Sequence, residues 1–456
     1  ISFLTLDLYL TLTLDRKSSK KLHWSNMKII ELQTNWHRPT SQHIEKATTE
    51  TAVLKVQNDI FRSIDDGKCV FLVLLDQSAA FDTVSHDLLI KRLNQKFRVT
   101  GGALGWVQSY LQGRSQRVLV SGHYSNPTEV KFGVPQGSVL GPVLFTEYSS
   151  PIASIAKAHN VDDHCYADDT QLYSAFTPGK DETEVLGRIE DCLDEMREWM
   201  AGSKLKLNDS KTEFIIFGTP SGLKKVTTSS IKVGDHTINA SQSVKNIGAY
   251  LDSKLSMETQ VKYMCKSAWL HLYNISKIRK YLSNDQLKTA IHAFVTSKLD
   301  FNNALLTGIS QQLLGKLQSV QSAAARLIHR AKKHDHVTPL LRELHWLPIH
   351  FRILFKQMVL VYKTFEGTAP RYLTDMLRPY TPSQSLRSSN DPLHLEEPRT
   401  RLKTFGDRSF SVAAPREWNS LPLDLRSIFF FSIKQIIGNI QNFTKNILFQ
   451  KTLWTF

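Results

Sequence analysis

CVFLVLLD, residues 69–76, is the stretch on which the fold turns. Seven apolar, β-rich residues from Cys69 to Leu75 suit a strand buried on both faces, and the run ends on a carboxylate, Asp76. Upstream, QHIEKATTETAVLKVQNDIFRSIDD (42–66) sets Val53, Val56, Ile60 and Ile64 at helical spacing, and Asp66-Gly67 stops the helix. Downstream, 83–97 and 102–112 have a helical pattern, RVLVSG and the stretch around Val130 suit short strands, and 138–159 reads as one helix. HCYADDTQLY (164–173) is two short β-rich runs about an Asp-Asp turn. A charged amphipathic helix follows from about 180 to 202, then the strand EFIIFG (213–218). This alternation predicts an α+β or α/β fold with strands paired around the carboxylates.

The chain has 456 residues, which suggests two or three domains. With 41% hydrophobic and 22% charged residues, disorder and collagen-like repeats are excluded. Lys and Arg number 57 against 42 Asp and Glu, a net +15 that calls for a polyanionic partner, nucleic acid or an anionic membrane surface. The four cysteines lie far apart with no C-x-x-C pair, so neither a disulfide scaffold nor a zinc knuckle is supported, and a reducing compartment fits. The opening ISFLTLDLYLTLTLD is too short to cross a bilayer, lacks the marks of a signal peptide, and reads as a piece of a longer frame. No membrane partner is expected. The tail from Ile428 to Phe456 receives no role.

Near residue 250 the character changes. Residues 254–371 hold 18 Lys and Arg against 6 Asp and Glu, so most of the excess charge sits in one segment of helical pattern. In QQLLGKLQSVQSAAARLIHRAKKH (311–334), Leu313, Leu317, Val320, Ala324 and Leu327 recur at three or four residues. Lys316, Arg326, Arg330, Lys332 and Lys333 then project elsewhere, as a solvated helix face or as a surface tracking a phosphate backbone.

Alone, an Asp at a strand end or an Asp-Asp pair is a turn former. Paired strands that present Asp76, Asp168 and Asp169 at neighbouring ends are different, because uncompensated carboxylates raise one another's pKa. Mg²⁺ prefers oxygen ligands and binds through a few carboxylates plus substrate phosphates, and two such ions suit in-line displacement at phosphorus. Between the acidic positions lies GVPQGSVLGP (133–142), whose glycines permit close approach of a ligand to the backbone.

Taken in order, LVLLDQSAAFDTVSHDLL (72–89), GVPQGSVLGPVLF (133–145), HCYADDTQLY (164–173) and LNDSKTEFIIFG (207–218) resemble the reverse transcriptases of non-LTR, LINE-type retrotransposons, particularly the Jockey-like branch. The resemblance runs from about Thr48 to about Arg426. It implies an α+β right-hand polymerase palm with truncated fingers, a mostly helical basic thumb and a carboxy-terminal region. The corresponding divisions are a poorly matched 1–41, fingers and palm over 42–252, thumb over 253–372, and 373–456 of unknown role. Asp76 and Asp168 resemble the metal-ligating aspartates, with Asp169 as the second Asp of the family's Y-x-D-D turn. Phe81 matches the bulky gate that rejects a ribose 2′-hydroxyl; read alone it is a core residue. Gln136 and Gly137 match the loop touching the incoming nucleotide and template. Lys211 matches the lysine proposed to protonate the pyrophosphate; otherwise it is a surface lysine. Ile247 to Leu251 resembles the turn that grips the primer end, and Arg326, Arg330, Lys332 and Lys333 fall in the thumb-like segment. His345, Trp346 and Trp418 read as packing residues.

The implied activity is RNA-directed DNA synthesis with two Mg²⁺ ions, Mn²⁺ being an alternative. Its partners are an RNA template, a DNA primer or target, and dNTPs, in the nucleus or cytoplasm; no protein partner is inferable. Three departures stand out. Residues ahead of the motifs could not hold the endonuclease domain usual in the family. The fingers read as short, with an insertion between Arg38 and Thr48, and Arg38 is the nearest match to a triphosphate-binding residue. Gln77 stands where an apolar residue is usual and would need a partner. Together they give a second reading, a truncated, inactive remnant that only binds nucleic acid.

Overall fold

Helix α1 (Thr49–Asp65) forms where the spacing of Val53, Val56, Ile60 and Ile64 predicts it, and all four are buried. Thr48 caps it, exchanging bonds with Thr51 in a capping box. The structure, a computed structural model, describes residues 47–78, 80–381, 391, 393–423 and 426, all within a single compact unit, Pro39–Phe456. Arg38, with the rest of 1–46, and the tail 427–456 lie outside the described residues.

Strand β1 (Cys69–Leu75) is buried along nearly its whole length, as its unbroken apolar run requires. It lies at the centre of a six-stranded sheet. Its antiparallel neighbours are β3 (Asp169–Phe176), which turns back from β2 (Asp162–Tyr166), and β4 (Glu213–Phe217). Beyond β4, β6 (His236–Ser241) runs parallel to it and pairs with β5 (Ser230–Val233). A separate hairpin joins β7 (Ser243–Asn246) to β8 (Ala249–Asp252). In the sheet core, Phe71 stacks on Phe176 at 3.9 Å between centroids and leans on Phe214 at 5.6 Å. Burying a ring of this size contributes roughly 1.5–3 kcal/mol.

Helices α2 (His86–Gln95), α3 (Gly101–Leu111) and α6 (Glu182–Gly202) lie close to where the pattern puts them. The single helix expected over 138–159 is instead two, α4 (Leu140–Ser149) and α5 (Pro151–Ala158). Proline lacks the N–H to continue a helix but suits the first turn of a new one, so the chain restarts at Pro151. The apolar pattern carries across the break and hides it.

From residue 258 the chain is helical: α7 (Glu258–Ile278), α8 (Asn284–Ile291), α9 (Gln311–His329), α10 (Ile349–Phe365) and α11 (Phe410–Ser420). On α9 the buried face holds Leu313, Leu317, Val320, Ala324 and Ile328, while Leu327 is half-buried. Trp346 and Trp418 are buried, and the Trp418 indole donates to the Leu393 carbonyl at 2.7 Å. One hydrophobic core runs from α1 through β1 and β4 to these helices.

Two carboxylates of α1 are buried, and both face the helical part. Glu50 accepts from the Ala304 amide at 2.9 Å and pairs with Lys356 at 2.9 Å. Asp65 accepts from the amides of Arg401 at 3.0 Å and Leu402 at 2.7 Å. Among the described residues no helix is long and apolar enough to cross a membrane.

Candidate active site at the end of the central strand

Register places the acids. Leu75 of β1 pairs with Thr170 of β3, and Tyr166 pairs with Asp169 across the β2–β3 turn. Asp76, one residue past β1, therefore reaches the same sheet end as Asp168 and Asp169. Ala167 takes a left-handed φ of 56° so that the turn closes in two residues, which puts Asp168 at its tip. Partial burial first, then the charges of Asp168 and Asp76, hold the Asp169 carboxyl up to about 6. The three carboxylates expected to act together thus share one electrostatic neighbourhood.

Lys211 pairs with the first of them, its Nζ 3.3 Å from Asp76 Oδ2. A strap brings it there. Ser78 donates its amide to the Lys206 carbonyl at 2.9 Å, Gln77 bridges Leu207, and the Asn208 amide donates to the Asp76 carbonyl at 2.8 Å. Asn208 Nδ2 also donates to Asp76 Oδ2 at 3.1 Å. Gln77 is buried, and neither polar atom of its side chain finds a partner among the described residues.

A second group forms around Phe81. Its ring stacks on Phe145 of α4, centroids 4.7 Å apart. The glycine-rich loop is fastened to the same turn: Gly133 donates to the Val84 carbonyl and Val134 to the Phe81 carbonyl, both at 2.8 Å. A Cβ on Gly133 would lie 2.9 Å from the Asp82 carbonyl, so only glycine fits. Gln136 Nε2 donates to Asp82 Oδ1 at 2.9 Å, beside Gly137. The loop that carries Gln136 and Gly137 is thus joined to the turn that carries Phe81.

The 247–251 turn is tied to both halves. Asn246 Nδ2 donates to Gln171 Oε1 at 2.7 Å inside the protein, and the Tyr250 amide donates to Gln260 Oε1 at 2.9 Å. Tyr250 also meets Tyr263 of α7 at 5.2 Å between centroids.

Arg326, Arg330, Lys332 and Lys333 form a separate group at the end of α9. Arg326 donates to the Asp335 carbonyl at 3.0 Å and so serves the turn, Arg330 holds a left-handed cap, and Lys332 and Lys333 are exposed. The spacing alone did not single out a longer exposed stripe on α7 and its continuation: Tyr263, Lys266, Tyr273, Lys277, Lys280 and Tyr281. Lys277 sits 4.3 Å over the Tyr273 ring and Lys280 4.8 Å over that of Tyr281. The spacing of Tyr263 and Lys266, of Tyr273 and Lys277, and of Lys277 and Lys280, each three or four residues, was the available signal.

Among the described residues, no group of three or more His, Cys, Asp or Glu is placed to hold a metal ion. The carboxylates still suit Mg²⁺. Their mutual repulsion is an excess of negative charge that a divalent cation relieves, and Mg²⁺ commonly takes only one or two protein carboxylates, completing its shell with water and phosphate.

The sequence model of the reverse transcriptase (RNA-dependent DNA polymerase) family matches residues 14–264, reaching further upstream than the motifs alone suggest. The probable RNA-directed DNA polymerase from transposon BS of Drosophila melanogaster is 26% identical over 65% of this chain and 33% of that protein. The RNA-directed DNA polymerase from mobile element jockey of the same species is 26% identical over 45% of this chain and 22% of its own length. The chain thus spans about a third or less of these relatives. Apo telomerase from Candida tropicalis overlaps 76% of this chain and 60% of its own at 12% identity, with a TM-score of 0.35, too low to bear on fold or function.

Proposed function

Because the chain belongs to the reverse transcriptase (RNA-dependent DNA polymerase) family, we propose that it is the RNA-directed DNA polymerase of a non-LTR retrotransposon, using RNA template, DNA primer or target, and dNTPs. The observation that carries this reading is the meeting of Asp76 with the Asp168-Asp169 turn at one sheet end, inside the stretch that matches the family. The sheet and its helices are the palm. The helical, basic 253–372 is the thumb, and its exposed cations face the nucleic acid.

Asp76 and Asp168, with Asp169 beside them, are the residues that would hold two Mg²⁺ ions. When bound, such a pair supplies stabilisation of charge at the α-phosphate and activation of the primer 3′-hydroxyl. The chain's own residues do the rest. Phe81, seated on Phe145, closes the space a 2′-hydroxyl would need. Gln136 and Gly137 meet the incoming nucleotide. Lys211, at the acidic edge on a mostly exposed side chain, gives a proton to departing pyrophosphate.

Primer extension on poly(rA)–oligo(dT) with dTTP and Mg²⁺ tests the reading. Extension supports it. Binding of the duplex without extension, under conditions where a control polymerase works, overturns it in favour of a remnant that only binds.

A further inference from the structure

We propose that Asn208 is the positioning residue of Asp76. The inference rests on the reading above, in which Asp76 is a metal ligand. Three hydrogen bonds in series support it. Ser210 Oγ donates to Asn208 Oδ1 at 2.8 Å. The Asp76 carboxylate, an acceptor only, fixes which end of the amide faces it, so Nδ2 donates to Oδ2 at 3.1 Å while Oδ1 is left to accept from Ser210. The Asn208 backbone amide donates to the Asp76 carbonyl at 2.8 Å, which registers the two residues against each other. The carboxylate is thereby gripped by one oxygen, and Oδ1 is left as the one that meets a cation.

The choice of an amide matters. Lys211 reaches the same Oδ2 at 3.3 Å, but its positive charge opposes any cation approaching Asp76. A neutral donor orients the carboxylate without cancelling its charge. Asn208 therefore holds Asp76 in place when Lys211 leaves it to attend to a leaving group. Outer hydrogen bonds of this kind typically change metal affinity about 10- to 100-fold when removed.

The test uses the whole chain and three variants, Asn208→Ala, Ser210→Ala and Asp76→Asn. Asn208→Ala keeps every backbone bond of the strap, including those from Lys211 and Thr212 to the Asn208 carbonyl, so folding should survive. Mn²⁺ binding is measured without turnover, by the loss of the free-ion electron paramagnetic resonance signal. The concentration of Mg²⁺ giving half-maximal primer extension is measured in parallel.

Asn208→Ala should weaken Mn²⁺ binding about tenfold and raise the Mg²⁺ requirement to match. Its KM for dTTP at saturating Mg²⁺, and duplex binding in EDTA, should stay at wild-type values. Ser210→Ala should shift both metal readouts the same way by a smaller factor. Wild-type Mn²⁺ affinity in Asn208→Ala, with affinity lost in Asp76→Asn, overturns the proposal and leaves Asp76 as a ligand. Wild-type affinity in Asp76→Asn overturns the underlying reading instead. If Asn208→Ala fails to fold, Ser210→Ala decides, and an unchanged metal response there overturns the proposal.

Discussion

The ring of Phe81 lies against that of Phe145 with centroids 4.7 Å apart, so the gate candidate is braced from beneath by a fully buried residue. Phe81→Ala should remove a ring that cannot retreat, and ribonucleotide incorporation should rise by at least tenfold relative to deoxyribonucleotide. Single-nucleotide extension with each triphosphate measures the ratio. An unchanged ratio returns Phe81 to a packing role.

Asp168→Asn should reduce extension below a tenth of wild type while leaving duplex affinity within twofold. The change removes one charge at the turn tip and disturbs no lysine or arginine. Parallel extension and binding assays separate the two effects, and retention of more than a tenth of the activity would refute the assignment.

Salt dependence distinguishes the two basic surfaces. Replacing Lys266, Lys277 and Lys280 with Gln should flatten the log–log dependence of duplex affinity on salt, by about one unit for each phosphate no longer neutralised. The Arg326, Arg330, Lys332 and Lys333 set should yield less than four units on the same replacement, because Arg326 is spent on the Asp335 carbonyl. Sequence preference should not move in either case. An unaltered slope in both variants would place the nucleic acid elsewhere.

Glu147 is almost wholly buried, neither carboxylate oxygen has a partner among the described residues, and burial pushes it up to about 7 against the opposing charge of Lys96. The folded chain keeps a proton that the unfolded chain loses from about pH 4.5 upward. Stability should therefore fall through the window from about 4.5 to 7 and stay lower above it. Glu147→Gln removes this loss, stabilising by at most about 3 kcal/mol at pH 8 and by little at pH 4. Thermal unfolding of both proteins at the two pH values checks the sign.

Gly406→Ala should destabilise by about 1–3 kcal/mol, because its Cβ would collide with Asp65 Oδ1, where the carboxylate is already committed to two amides. Denaturant unfolding measures the loss. A neutral result would show that the two segments part without cost.

The sequence revealed the elements that bury both faces. Cys69–Leu75 is an unbroken β-rich apolar run that suits a strand covered on both faces, and the Asp168-Asp169 turn is marked by β-rich runs on each side. The break at Pro151 stayed hidden because Leu144, Tyr148, Ile152 and Ile155 keep the core pattern across it. Roles set by hydrogen bonds between distant segments were hidden too. Nothing in the spacing of NDSKTEF shows that the Asn208 amide, 132 residues away, lies on Asp76. Charge was legible in amount but not in use, since nothing in the spacing shows that Arg326 donates to the Asp335 carbonyl.

The anchors of α1 also bear on synthesis. Glu50 waits for an amide 254 residues later and Asp65 for one 336 residues later. Loops of that length close late and slowly. While the chain is being made, the first described helix therefore emerges with two buried-to-be carboxylates whose distant amide partners have not yet been made. Nascent chains halted before residue 401 should lack both amides that Asp65 accepts from and remain prone to misassembly, so this unit matures only once the chain has passed that segment.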